Sequence, residues 1–170
     1  MIDTGIKPWL FEVQPYERES LSHYLGRFRR QNHLTAGGLG QMAGIGAVIA
    51  RWEKFYLNPY PTQSQFEALG KVLGLSTGRL WAMLPSAEEG MQCEPIRLCG
   101  ACYGESPCHQ IEWQYKSVWT CDRHHLKLLS KCPNCEAKFK TPALWEDGFC
   151  LRCHLSFSSL ASFQKPVSMS

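Results

Sequence analysis

With 170 residues, a formal charge of +3 and nine cysteines, the chain is long enough for two small domains of roughly 70 to 90 residues but too short for one large core. No apolar run approaches membrane-spanning length, so no membrane partner is expected. The opening Met1-Ile2-Asp3-Thr4 shows no charged n-region, apolar h-region or cleavage site, which predicts a cytoplasmic setting with reduced thiols and argues against a disulfide framework.

Residues 1–18 read as an extended segment. Pro8 disfavours helix, and Trp9, Leu10 and Phe11 place three large apolar side chains in a stretch too short to form a core. Trp9 and Phe11, with Arg27, Arg29 and Arg30 downstream, have the composition of an interface hot spot, aromatic anchors ringed by arginine. Packing of Trp9 against its own helices is the competing reading.

Residues 19–85 predict a helical, mainly α domain. Leu21, Tyr24, Leu25 and Phe28 fall at i, i+3, i+4 and i+7, one apolar helix face. Arg27, Arg29 and Arg30 crowd its end, where cations complement the dipole. Thr35 caps a short helix carrying Leu39 and Met42, Gly44 breaks it, and a further helix follows through Val48, Ile49 and Trp52. Helix, glycine turn, helix is the outline of a helix-turn-helix. Thr62 to Gln65 forms a capping box before Phe66, Leu69 and Leu73; Gly74 ends that helix, and Ser76 caps a last turn with Leu80, Met83 and Leu84 before Pro85. Residues 86–95 carry no periodic apolar pattern and read as a linker.

Every cysteine of the paired series lies after that point. Eight residues form four pairs with two residues between partners: Cys99/Cys102, Cys121/His124, Cys132/Cys135 and Cys150/Cys153. A two-residue spacing lets a tight turn aim both side chains at one tetrahedral ion, so the series predicts two structural zinc ions in two zinc-finger modules, residues 96–130 and 131–156, followed by a tail at 157–170. Sequential pairing gives a three-cysteine, one-histidine site and an all-cysteine site; cross-braced pairing stays open. His125 competes with His124, the repeated spacing favouring His124. His109 and His154 have no partner at ligand spacing and read as surface residues, while Cys93 and Cys108 read as free thiols.

Both sites look closed, whereas a catalytic zinc keeps a position for water. The deaminase, H-E-x-x-H, Walker and G-x-S-x-G patterns are missing, so no enzymatic activity is expected. Metal centres with three and four thiolates contribute about −1 and −2 as complexes, which leaves the loaded chain near neutral. Any nucleic-acid contact must then be local, and Lys116, Trp119, Arg123 and Lys127 offer the mixture of aromatic surface and cations that stacks unpaired bases. Ordinary packing of Trp119 beside its knuckle competes on equal terms.

The string Val13 to Arg27, with Pro15 before Glu19-Ser20-Leu21-Ser22-His23-Tyr24-Leu25-Gly26-Arg27, resembles the opening of the TniQ family. Trp52, the Gly74-Leu75 to Leu80 helix, and the ordered series Cys99, Cys102, Trp119, Cys121, His124, Leu128, Cys132, Pro133, Cys135 resemble the family's later features. Gly26 departs from it, standing where many members have a larger residue. The resemblance implies the small form found in type V-K CRISPR-associated transposons: an adaptor joining a DNA-bound, RNA-guided type V effector, with its guide or tracrRNA, to the AAA+ ATPase TnsC. It further implies a small-subunit ribosomal protein in the assembly and contact with target DNA, and it makes TnsC the expected partner for the hot spot of Trp9, Phe11 and the three arginines. The alternative is a TnsD-like, sequence-specific DNA-binding selector that uses its helix-turn-helix.

Overall fold

The computed structural model describes residues 11–86 and 88–168; the expected docking residue Trp9 lies outside the described residues. Ser20 accepts a hydrogen bond from the His23 N–H at 3.3 Å and so starts helix α1 (Leu21–Gln31). Helices α2 (Ala36–Ala43), α3 (Val48–Glu53), α4 (Gln63–Leu73) and α5 (Thr77–Trp81) follow. Thr35 caps α2, left-handed Gly44 ends it, the Thr62–Gln65 capping box opens α4, left-handed Gly74 closes it, and Ser76 caps α5. Leu21, Tyr24, Leu25 and Phe28 of α1 pack with Leu39, Ile49, Trp52, Phe66, Leu69 and Leu80 into one core.

The second half contains little regular structure. Helix α6 (Gly100–Glu105) and a 3-10 turn at Ile111–Gln114 precede an antiparallel hairpin, β1 (Thr120–Cys121) and β2 (Leu126–Lys127), in which Thr120 faces Lys127 and Cys121 faces Leu126. Two more 3-10 turns follow, Pro142–Leu144 and Phe157–Phe163. Its core gathers Ile96, Leu98, Trp113, Phe139, Trp145, Phe157 and Leu160, and takes in Phe55 from the helical half.

The halves are joined through α1, which is buried on more than the one face its apolar pattern predicts. Ser22, Gly26 and Arg30, at i, i+4 and i+8, receive the Pro142–Leu144 turn: the Ala143 N–H donates to Ser22 Oγ at 3.1 Å, and Arg30 donates to the carbonyls of Ala143 and Trp145. A Cβ on Gly26 would lie 2.6 Å from Ala143 Cα, so only glycine admits this approach. Glu19, His23 and Arg27 line the neighbouring strip, with the Glu19 carboxylate accepting from both.

The stretch 86–95, expected as a linker, is stitched to the second half: Met91 bridges to Tyr115, and the Gln92 N–H donates to Gln114 O at 2.8 Å. Residues 157–168, expected as a tail, pack on α6. Gln164 accepts from the Gly100 N–H at 2.8 Å and donates to Lys127 O at 2.9 Å, while Phe157 and Leu160 are buried and Phe163 is half exposed. No periodicity around Gln164 marks it for this role. The surface reading of His109 is corrected: the residue is fully buried, held by Ser20 and Gln114.

Candidate metal centres and the adjoining surface

Four short turns deliver the eight donors. Backbone N–H groups of Tyr103, His125, Glu136 and His154 donate to the carbonyls of Cys99, Cys121, Cys132 and Cys150 at 2.8–3.0 Å, closing each turn around its first ligand. In three of them the residue after the second ligand is left-handed: His125 at φ 51°, Glu136 at 62° and His154 at 60°. Histidine enters this region more readily than most residues. His125 is therefore the pivot of its turn, and His124 is the residue whose ring reaches the sulfurs.

The donors converge as the sequential pairing predicts. Cys99, Cys102, Cys121 and His124 form one cluster, and Cys132, Cys135, Cys150 and Cys153 the other, all donor atoms in each lying within 4.8 Å of one another. Cys102 Sγ lies 3.4 Å from Cys121 Sγ and 3.3 Å from His124 Nδ1, and the Cys132–Cys153 and Cys135–Cys150 sulfurs are 3.6 Å apart. A tetrahedral ion with bonds of about 2.3 Å to sulfur needs donors separated by about 3.8 Å. The clusters are thus close to the size of a metal-centred tetrahedron, and each can hold one ion. Cys99, Cys102, Cys121, Cys132 and Cys150 are buried, which limits access of water to the donors. A tetrahedral ion held by all four donors of a cluster would have no open coordination position.

Glu105 adjoins the first cluster through its histidine, and no motif in the sequence marks it. Its Oε1 lies 2.7 Å from His124 Nε2, and its Oε2 accepts from Arg123 Nη2 at 2.7 Å. The His124 hydrogen bond lowers the pKa of Glu105; in return, although burial pulls His124 down, its bonds to Glu105 and Cys121 together raise it.

The four residues expected at a nucleic-acid surface follow one another along the approach to the hairpin and its strands. Lys116 and Lys127 are exposed and make no ion pair among the described residues; Arg123 is paired with Glu105. Trp119 is 63% exposed, with the Arg97 guanidinium 5.0 Å from its ring centre. Arg97 itself is buried, donating to Tyr115 O at 2.5 Å and to Val118 O, so a fixed cation underlies an open indole.

The residues expected at a protein interface are placed differently. Phe11 is 45% exposed, its carbonyl accepting from Asn32. Arg27 makes two bonds to Glu19, at 2.8 and 2.7 Å, Arg29 makes two to Glu53, at 2.5 and 2.8 Å, and Arg30 reaches the 142–145 segment. The three arginines are therefore engaged within the fold.

The model of the TniQ family matches residues 10–128, more than half of the chain. The match takes in α1 to α6, the hairpin and the first donor cluster, and ends before Cys132, so the second cluster lies beyond it. No curated protein matches the chain.

Proposed function

The chain belongs to the TniQ family, whose members are transposition-associated adaptors and target selectors, and on that premise we propose that it links an RNA-guided type V CRISPR effector on target DNA to the AAA+ ATPase TnsC. The TniQ match over residues 10–128 carries this reading. In it the protein works in the cytoplasm without catalysing a reaction; two zinc ions hold the second half in shape, and Lys116, Trp119 and Lys127 meet the effector's guide or tracrRNA. A small-subunit ribosomal protein shares the assembly. Trp9 and Phe11 dock on TnsC. The donor sets fit zinc because three thiolates with one imidazole, and four thiolates, are its ordinary structural ligands. Among the described residues no helix is long and apolar enough to cross a membrane.

The alternative, a selector that reads duplex DNA through α2 and α3, finds less support. Helix α3 has six residues, its Arg51 side chain bonds to Asn58 O, and Lys54 follows only at its C-cap; a recognition helix needs basic and polar side chains along its groove-facing side. Co-purification with TnsC and with the RNA-loaded effector tests the proposal, alongside duplex binding by the isolated protein at physiological salt. Association with both partners, lost with TnsC alone in Trp9→Ala and Phe11→Ala, is expected. Tight, sequence-selective duplex binding without them would favour the selector. Within the complex, Trp119→Ala should weaken RNA contact by about 1–3 kcal/mol if the indole stacks on a base, and neutralising Lys116 and Lys127 should flatten its salt dependence. Unchanged crosslinking in folded variants counts against the RNA surface.

A further inference from the structure

We propose that Glu105 is the positioning residue of the first metal centre and that Arg123 holds it in place. The proposal rests on reading Cys99, Cys102, Cys121 and His124 as a zinc site. His124 turns Nδ1 toward the sulfurs, 3.3 Å from Cys102 and 3.4 Å from Cys121, and its other nitrogen lies 2.7 Å from Glu105 Oε1. A neutral imidazole carries one proton, and an ionised carboxylate can only accept. Glu105 therefore fixes that proton on Nε2, which frees the Nδ1 lone pair for the ion and sets the plane of the ring.

The arrangement differs from an incidental surface ion pair in three respects. Both carboxylate oxygens are used, since Oε2 accepts from Arg123 Nη2 at 2.7 Å, so the carboxylate cannot rotate without losing a partner. Glu105 closes α6, the short helix that Cys99 caps and that carries Cys102, so one rigid unit supplies two ligands and the group that orients a third. A carboxylate at a helix C-terminus opposes the dipole, which makes the position an unfavourable one for helix formation alone. The ion pair also offsets the Arg123 charge.

Competition between the zinc-loaded full chain and a chelator of known affinity, resolving the two equivalents, tests this on Glu105→Ala and Glu105→Gln. The all-cysteine centre serves as the internal control. Glu105→Ala should loosen one equivalent by roughly 10–100-fold and leave the other at its wild-type affinity, whereas Glu105→Gln, whose amide oxygen still accepts from Nε2–H, should retain most of the binding. In proton NMR the His124 Nε2–H should be protected from exchange in the wild type and lose that protection in Glu105→Ala. An unchanged first equivalent, equal weakening of both, or an unaltered Nε2–H signal would overturn the positioning role while leaving the zinc reading intact. A wild-type chain that binds no zinc would overturn that reading and the proposal together.

Discussion

His109 stays neutral inside the fold because both of its nitrogens are already matched. Nε2–H donates to Gln114 Oε1 at 3.2 Å, and Ser20 Oγ lies 2.9 Å from Nδ1 while also accepting from the His23 N–H, so the Ser20 hydroxyl proton points at the ring. Burial pushes the pKa of His109 down to about 3. In the unfolded chain it titrates near 6.5. Between those values the unfolded state binds a proton that the folded state does not, so stability rises with pH. The contribution is complete above about pH 6.5 and is lost as pH falls toward about 3, at up to about 1.4 kcal/mol per pH unit. His23 acts with the same sign, because burial lowers it more than Glu19 raises it. Urea titrations of the zinc-saturated protein between about pH 6.5 and 5 should therefore give a smaller pH slope in His109→Gln than in the wild type. Equal slopes would show that the residue is not buried neutral. Nothing near His109 in the sequence separates this role from a surface one, since Ser20 lies 89 residues away.

At the level of elements, what is legible in the sequence is local. The caps at Thr35, Thr62 and Ser76 and the breaks at Gly44 and Gly74 need only neighbours within a turn, and each stands where expected. The four two-residue spacings are equally local and lead directly to the donor clusters. The second packing face of α1 is not legible, because its partners, Ala143 and Trp145, lie more than a hundred residues on. In the sequence Arg30 therefore reads as a helix-end and interface cation, and Gly26 as a plain departure from its family. Gly26→Ala tests the packing. Alanine is the better helix former by about 1 kcal/mol, yet its methyl would press on Ala143, and overpacking of this kind costs about 1–3 kcal/mol. Net destabilisation is expected despite the better propensity. Gly37 in α2 is the control, because a methyl added there would meet nothing within 4 Å, so Gly37→Ala should be neutral or stabilise by up to about 1 kcal/mol. A stabilised Gly26→Ala would show that α1 and the 142–144 turn are not in contact in solution.

For the molecule as a whole, the two halves stand or fall together to the extent that α1 belongs to both. Separate domains joined by a loose connector would respond to chelation independently, with structure lost only after residue 95. Here Ser22 and Arg30 bind the 142–145 segment, Ser20 binds His109, and Phe55 is enclosed by the second core. Structural zinc contributes about 10–16 kcal/mol of apparent folding free energy in small fingers, far more than the second half's sparse regular structure supplies. Chelation under reducing conditions should remove two zinc equivalents, unfold the metal-bound half, and leave the buried polar groups of α1, Ser22 and His23 among them, without their cover. The hydrogen bonds of Ser20, Ser22 and Arg30 with the second half would be lost, each worth about 0.5–1.5 kcal/mol net, so the helical half should lose thermal stability as well. The far-UV helical signal and the fluorescence of the buried Trp145 and Trp113 are therefore expected to fall together across a chelator titration. A helical transition unmoved by chelation would mean that α1 to α5 fold independently, and one zinc or none by elemental analysis would overturn the two-centre reading on which the coupling depends.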